Sequence, residues 1–315
     1  MPARLWRGIL SNMISKNKIQ LILSKSDIKE NLIKFSFLAQ GNHNDNYLIE
    51  TAKGKYVLRI EKSLQFRNLR KEYKILQSLR EGLGPKVYLF DLTGKIIKKN
   101  YLVEEFISGK HPKIKVDDNF IKLMAKWFKQ LHKIKLSANK GYSLINAIKP
   151  YYNNFKKYNY TLDDDFSEKI ARLFKEVLKL CRENDKIFFS DKKFSLLHRD
   201  CSRDNIILSN NNVRLIDWEF SGYGVPEWDL IYFLQSYKFE KHHEKLFLDV
   251  YGYPNTQNSR QRLKMISLLN ICGGIGYSLW RLALIKQGKV GKEEKLQTFG
   301  RINKDVGLLK SLLNN

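Results

Sequence analysis

Residues 196–229 read LLHRDCSRDNIILSNNNVRLIDWEFSGYGVPEWD, and this stretch contains two groups of oxygen-bearing side chains. In the first group, Asp200 is followed five residues later by Asn205. In the second, Asp217 and Glu219 are two positions apart. Because side chains two positions apart project from the same side of an extended strand, this spacing predicts both carboxylates on one side of a strand end.

A β-hairpin is predicted between the two groups. Residues 205–208 and 213–216 are apolar runs, and the polar sequence SNNN separates them. Short polar side chains tolerate tight turns, so the chain should fold back here and bring the second group beside the first. Converging carboxylate and amide oxygens suit a magnesium ion that completes its shell with water and phosphates. Such a site is typical of phosphoryl transfer.

The two motifs carry a family resemblance. H-x-D-x-x-x-x-N at 198–205, followed by IDWE at 216–219, resembles the catalytic loop and metal-binding strand of the aminoglycoside phosphotransferase and choline/ethanolamine kinase superfamily. HRD at 198–200 also matches protein kinases, whose second motif is DFG where this chain has DWE. The later Gly222, Pro226 and Asp229 continue the superfamily pattern, with Asp229 expected to brace the catalytic loop.

The resemblance implies an α+β, protein-kinase-like bilobal fold. A small N-lobe built on an antiparallel sheet is expected at residues 1–107, and a larger, mostly helical C-lobe at 108–315. The N-lobe would bind the nucleotide and include an amphipathic helix at residues 2–14. The C-lobe would contain the catalytic loop, the metal site and the acceptor site.

The roles of the motif residues follow from the resemblance. Asp200 would orient the acceptor hydroxyl and accept its proton, while Asn205 and Asp217, with Glu219, would hold magnesium. The implied activity is an ATP- and Mg-dependent phosphotransferase acting on a hydroxyl of a small molecule, for example an amino alcohol such as choline. The alternatives are a kinase of a protein or RNA acceptor, or a non-catalytic polyanion-binding module with a kinase-like fold.

Nucleotide-binding residues are expected in the N-lobe. Arg59 alternates with apolar neighbours in a predicted strand and would hold the phosphates, braced by Glu72 from the following helix. The alternative is that both side chains lie on the surface. By analogy with kinase folds, Asn46 lies in a phosphate-covering loop, and the carbonyl of Glu105 and the amide of Ile107 would grip the adenine.

The acceptor site is predicted in a long apolar helix at 262–286. There Tyr277 and Trp280 resemble the aromatic segment that lines the acceptor pocket of choline kinases, and aromatic faces attract quaternary ammonium groups. The alternative is that Trp280 belongs to the core. Further helices are predicted at 118–136, 166–181 and from Trp228, and His132 in the first of these is expected to be a hydrogen-bonded core histidine.

Composition sets the remaining expectations. The 315 residues include 57 Lys and Arg against 32 Asp and Glu, a net charge of +25. This excess predicts a basic surface, with a weak polyanion contact as the alternative use of the charge. No apolar run approaches the roughly 18 residues of a membrane span, so no integral span is expected. Three widely spaced cysteines indicate a reducing compartment, and we expect a cytoplasmic protein.

Overall fold

The computed structural model describes residues 14–40, 44–62, 69–113, 115–138, 141–209, 212–237 and 239–314. The helix predicted at 2–14 and the centre of the predicted phosphate-covering loop lie outside these residues. The chain forms two compact units. The first contains the described residues up to Lys113 together with Ser202–Ser221, and the second contains Ile114–Cys201 and Gly222–Asn315. The lobe boundary after residue 107 stays a prediction.

The first unit is built on a five-stranded antiparallel sheet, as expected for the smaller lobe. The strand order is β1-β2-β3-β5-β4, and every neighbouring pair is antiparallel. Helix α1 contributes Ile19 and Leu23, at helical spacing, to a core that includes Leu58 and Val103 of the sheet. The elements are α1 (Lys16–Lys25), β1 (Lys34–Gln40), β2 (Asn44–Thr51), β3 (Gly54–Glu61), α2 (Leu69–Ser78), β4 (Val87–Asp91) and β5 (Tyr101–Glu105).

The predicted hairpin is confirmed and belongs to the first unit. Strands β8 (Ile206–Ser209) and β9 (Asn212–Leu215) pair antiparallel. The Ile216 N–H donates to the Asn205 carbonyl over 2.9 Å, so the second acidic group returns to the end of the first. The predicted strand end at 217–219 is wrong, because β9 ends at Leu215 and Asp217 has a left-handed backbone with φ +63°.

The second unit is mostly helical, as predicted. The long helix α8 lies at its centre and packs against α4, α6 and α9. A three-stranded sheet in the order β10-β7-β6 completes the unit. The elements are α3 (Asp118–Leu131), β6 (Lys135–Ser137), α4 (Leu144–Tyr158), α5 (Asp164–Glu183), β7 (Lys193–Leu197), β10 (Gly222–Gly224), α6 (Glu227–Ser236), α7 (Lys241–Tyr251), α8 (Gln257–Lys286) and α9 (Glu294–Asn314).

Helix α3 has the buried face that its sequence predicted. The Asp117 side chain caps the helix by accepting the Phe120 N–H over 2.8 Å. The apolar side chains at helical spacing, Ile121, Met124, Ala125, Phe128 and Leu131, are all buried. His132 follows the helix as a buried residue with a partner at each ring nitrogen, which confirms its predicted place in the core.

Helix α8 is long and apolar enough for a membrane span, although no such span was expected from the sequence. Among the described helices it is the one that does so, with a mean hydropathy of 1.4 over its most apolar window. Within that window, 61% of the residues are buried inside the protein. The apolar character of the helix is therefore explained by its central position in the second unit, because core helices of this length have the same composition.

All three cysteines are buried and free. Burial raises the pKa of the Cys181 thiol to about 12 and raises the pKa values of Cys201 and Cys272 well above the ordinary value. Because the thiolate is the reactive form, these three thiols stay unreactive at neutral pH. Their location in a reducing compartment stays a prediction.

Candidate active site

The first unit contains a buried ion cluster around Arg59. Arg59 lies on β3 and is 5% exposed. Its Nη1 donates a short hydrogen bond to Oε1 of Glu72 and lies 3.6 Å from Oε1 of Glu104, while its Nη2 lies 3.2 Å from Oδ1 of Asp217. One guanidinium is therefore shared by three carboxylates from α2, β5 and the segment after β9.

The charge balance of this cluster shifts its pKa values. Burial opposes the charge on Arg59, but the three carboxylates outweigh burial and raise the pKa of the guanidinium above its usual value. Burial raises the pKa of Glu104 to about 8, because attraction to Arg59 offsets only part of the desolvation and Glu72 and Asp217 add repulsion. The Glu104 carboxyl is therefore mostly protonated at neutral pH.

Glu72 joins α2 to the second acidic group. Its side chain is fully buried, and Oε1 also accepts the backbone N–H of Trp218 over 3.0 Å. The Trp218 indole is buried as well and donates to the Leu215 carbonyl over 2.9 Å. Glu72 thus fixes both Arg59 and the backbone directly after Asp217. The role of Arg59 and Glu72 in nucleotide binding stays a prediction.

The candidate metal ligands lie at the open end of the β8–β9 hairpin, where its two strands begin and end. Asn205 precedes β8 and is 9% exposed, Glu219 follows β9 and is 7% exposed, and the Asp217 side chain is 39% exposed. All three offer oxygen atoms and none offers sulfur or imidazole nitrogen, which fits magnesium. The structure places the three in one unit, while their ligand role stays a prediction.

Asn46 lies in strand β2, directly opposite Arg59, so its predicted place in a loop is wrong. The two residues pair in the β2–β3 ladder. The Asn46 Oδ1 is buried without a hydrogen-bond partner among the described residues. A buried amide oxygen without a partner is costly, so this atom is available for a ligand group or water. Its predicted contact with a phosphate remains open to test.

The predicted adenine-binding segment follows β5. The Glu105 N–H donates to the Lys86 carbonyl over 2.8 Å, and Ile107 is buried. The Glu105 side chain forms a two-pronged ion pair of 2.5 Å with Arg214 of β9. Burial would raise the pKa of Glu105, but hydrogen bonds from Arg214 lower it. The ion pair anchors this segment to the hairpin.

Asp200, the predicted catalytic residue, lies in the second unit. Its Oδ1 accepts a hydrogen bond of 2.8 Å from the Tyr232 hydroxyl on α6, and its N–H donates to Nδ1 of His198 over 3.3 Å. Burial, with the negative charge of Asp200 beside it, raises the pKa of Tyr232 far above its usual value. Tyr232 therefore remains a hydrogen-bond donor that fixes the Asp200 carboxylate.

Asp229 braces the loop before Asp200, as predicted. One carboxylate oxygen accepts the His198 N–H over 2.8 Å and the other accepts the Arg199 N–H over 2.8 Å. Nε2 of His132 lies 3.2 Å from the same carboxylate. Arg199 has φ +66°, a left-handed conformation that costs free energy in a residue with a side chain. The two bonds from Asp229 stabilise that conformation.

The predicted acceptor residues lie together on α8. The rings of Tyr277 and Trp280 are 5.5 Å apart at 52°. Tyr277 is 43% exposed, and it is near enough to Tyr232 to contribute to the raised pKa of that residue. Trp280 is half-buried, so part of its ring lies on the surface of the unit. Their role in acceptor binding stays a prediction.

Two residues of the candidate site were not found by sequence reasoning. Glu104 could have been noticed, because a carboxylate inside the buried strand sequence YLVEE needs a partner. Tyr232 has no comparable signal, because its contact with Asp200 spans 32 positions and depends on the packing of α6.

Comparison with known proteins shows the family and the fold. A family model described as "Phosphotransferase enzyme family" matches residues 34–255. The protein LicA homolog of Mycoplasma capricolum subsp. capricolum is 29% identical over 165 residues, which cover 52% of this chain and 63% of that protein. The alignment thus spans less than two thirds of the Mycoplasma relative.

Two solved structures illustrate the range of related proteins. The choline kinase LicA from Streptococcus pneumoniae superposes with a TM-score of 0.66 at 21% identity, covering 93% of this chain and 98% of that one. A spectinomycin phosphotransferase, APH(9)-Ia, in complex with ADP and spectinomycin gives 0.64 at 15% identity, covering 95% and 98%. At these identities the likeness shows the kinase-like phosphotransferase fold.

Proposed function

We propose, from the premise that the chain belongs to the phosphotransferase enzyme family, that it is an ATP- and Mg-dependent kinase of a small-molecule hydroxyl group. The observation that carries this proposal is the buried contact of Arg59 with both Glu72 and Asp217. A fixed cation beside a carboxylate is what a polyphosphate and its metal ion require.

The residues of the first unit bind the nucleotide and the metal ion in this proposal. Arg59 binds the phosphates, and Asn205, Asp217 and Glu219 are the residues that would hold magnesium. Magnesium supplies charge neutralisation on the phosphoryl oxygens. The fixed Arg59–Glu72 pair keeps the cation in place before the substrate binds, so little reorganisation is needed during the reaction.

Asp200 acts on the acceptor. The acceptor hydroxyl oxygen forms a bond to the γ-phosphorus of ATP, and the bond from that phosphorus to the β,γ-bridging oxygen breaks, releasing ADP. The hydroxyl proton passes to the Asp200 carboxylate. The hydrogen bond from Tyr232 and the brace from Asp229 hold this carboxylate and its loop in position.

An amino alcohol such as choline is the acceptor that the second unit favours. Tyr277 and Trp280 form an aromatic pair that is partly accessible on α8, and a quaternary ammonium gains about 1 to 2 kcal/mol from such faces when desolvated. The LicA structure that resembles this chain is named as a choline kinase, which supports the same choice.

A kinase assay with purified protein tests the activity. ATP, magnesium and each of choline, ethanolamine and spectinomycin would be incubated with wild type, Asp200→Asn and Asp204→Asn. We expect the Asp200 variant to lose at least a hundredfold in kcat. The matched control Asp204→Asn should keep wild-type turnover, because the Asp204 side chain is 86% exposed.

The assay also separates the alternatives. A folded Asp200→Asn protein with wild-type turnover would refute the proposed mechanism. Phosphorylation of a protein or RNA in place of the small molecules would change the acceptor class. Salt-dependent retention on nucleic acid without nucleotide affinity would favour a non-catalytic polyanion-binding module.

The acceptor is tested separately with Trp280→Leu. If choline binds against the aromatic pair, this variant should raise the KM for choline about tenfold and leave the KM for ATP unchanged. Equal KM values for choline in the two proteins would exclude this pocket while leaving the kinase assignment intact.

A further inference from the structure

The N-terminal ends of α3 and α7 carry side chains that phosphoryl transfer does not use. Asp118 is the first residue of α3, and His242 and His243 lie in the first turn of α7. One oxygen of Asp118 and one nitrogen of each imidazole lie within 4.8 Å of one another. We propose that these three side chains bind a divalent transition-metal ion of the zinc class.

The two distances from Asp118 to the imidazoles match those between ligands of a tetrahedral ion. Oδ1 of Asp118 lies 3.3 Å from Nε2 of His243 and 3.6 Å from Nε2 of His242. Two ligand atoms bonded at the usual lengths to tetrahedral zinc lie roughly 3.3 to 3.6 Å apart. An ion could therefore bind with little movement of the side chains. Two imidazoles and a carboxylate favour zinc, cobalt or nickel over magnesium or calcium.

A second carboxylate orients one of the imidazoles. Nδ1 of His242 lies 3.3 Å from Oε2 of Glu240. When that carboxylate accepts the Nδ1 proton, Nε2 keeps its lone pair and points it toward Asp118. This carboxylate–histidine arrangement is the one that metal-binding histidines commonly use to fix the ring and its tautomer.

The burial of His243 supports the site independently. His243 is 8% exposed, and its Nδ1 has no hydrogen-bond partner in the part of the chain that the structure describes. A buried polar atom without a partner destabilises a protein, so hydrogen bonding does not explain why this histidine is buried. A metal ion on Nε2 would leave Nδ1 unpaired, but the free energy of the metal–nitrogen bond would offset the cost of burying the ring.

The cluster is accessible, and it connects two helices. The side chains of Asp118 and His242 are 54% and 58% exposed, so an ion can enter from solvent and keep a water as its fourth ligand. At their other ends, α3 and α7 are joined by a hydrogen bond of 2.9 Å between His132 and Tyr251. The ion would join the N-terminal ends and stabilise the folded protein by mass action.

The test is metal titration of the metal-free full-length protein. Calorimetry with Zn²⁺ should give one ion per chain, and Co²⁺ should give the visible absorption of a tetrahedral site. His242→Gln and Asp118→Asn should each weaken Zn²⁺ binding at least tenfold. Both side chains are exposed, so both variants should fold. His111→Gln, which removes a histidine elsewhere, should bind Zn²⁺ like wild type.

Thermal unfolding supplies an independent readout. A hundredfold excess of Zn²⁺ over its Kd should raise the Tm of wild type by about 5 °C and that of the two cluster variants by much less. A wild-type Kd weaker than about 100 µM, or a Co²⁺ spectrum that neither substitution changes, would overturn the proposal. Neither measurement uses kinase activity, so the result is independent of the proposed phosphoryl transfer.

Discussion

Nη2 of Arg59 lies 3.2 Å from Oδ1 of Asp217, although the two residues are 158 positions apart in the sequence. This contact joins the third strand of the sheet to the segment that follows the β8–β9 hairpin. Glu72 holds both sides of this contact, because it pairs with Arg59 and accepts the N–H of Trp218, the residue after Asp217. The cation and the acidic segment are therefore positioned by the same buried carboxylate.

Removing the cation should unfold the first unit more easily. Arg59→Met leaves Glu72 and Asp217 without their shared counter-ion, and breaking a buried ion pair in this way costs about 3 to 5 kcal/mol. Urea denaturation should show this loss, whereas Arg172→Met, at an exposed position of α5, should change stability by less than about 0.5 kcal/mol. Equal losses in both variants would contradict the cluster's role.

Glu104 should make stability depend on pH. Its pKa is raised to about 8 in the folded protein and is about 4.5 when unfolded. The folded state therefore holds an extra proton between these values, and stability should fall as pH rises from about 4.5 to about 8, by at most about 1.4 kcal/mol per pH unit. Glu104→Gln should make this decline smaller, and the part that remains belongs to Glu72, whose pKa burial also raises. Parallel stability profiles for variant and wild type over that pH range would refute the assignment.

Asp229 should be essential for the loop before Asp200. Asp229→Asn replaces the charged acceptor of the His198 and Arg199 N–H groups with a neutral amide. The free energy of unfolding should fall by about 2 to 4 kcal/mol at pH 7. His132 and the two N–H groups overcome burial and lower the pKa of Asp229, so its contribution is present above the unfolded pKa and is lost only as pH falls below about 4.

Denaturation of Asp229→Asn at pH 7 and at acid pH measures both effects. The control is Asp249→Asn, because the Asp249 side chain is 58% exposed and its ion pair is with Lys245, one helical turn away. That variant should lose about 0.5 kcal/mol or less. A loss of similar size at both positions would show that the loop does not depend on Asp229.

Tyr232 should act as a positioning residue for Asp200. Tyr232→Phe removes the 2.8 Å hydrogen bond and should lower kcat about tenfold, with little change in the KM for ATP. Tyr160→Phe is the control, because Tyr160 is half exposed. Steady-state kinetics with the acceptor that the kinase assay identifies would check this prediction. A lower Tm with unchanged kcat would assign Tyr232 a purely structural role.

Two glycines should respond to alanine in opposite directions. A Cβ at Gly109 would clash with the backbone oxygen of Leu208, so Gly109→Ala should destabilise the protein by about 2 kcal/mol or more. At Gly300, inside α9, a Cβ would meet nothing within 4 Å, so Gly300→Ala should stabilise the protein by about 0.5 to 1 kcal/mol. Chemical denaturation would reveal whether the signs differ.

Several features of this protein could be predicted from local sequence. The polar sequence between two apolar runs predicted the hairpin, and helical spacing predicted the buried face of α3, because turn chemistry and periodicity act over a few residues. The HRD and DWE motifs identified the family, since each combines several residues at fixed spacing. The brace from Asp229 was expected from the same motif pattern, and the helical spacing of α3 predicted that His132 lies in the core.

Other features were decided by the tertiary structure. The left-handed conformation of Asp217 replaced the predicted strand end, because Glu72 fixes the next backbone N–H from another element. The raised pKa of Glu104 depends on burial among charges from three segments, and the Tyr232 contact depends on how α6 packs. The imidazoles of α7 meet Asp118 only because two distant helices lie side by side. The local sequence pattern determines which helices and strands form. Burial and charge contributed by residues distant in the sequence determine the chemistry of their side chains.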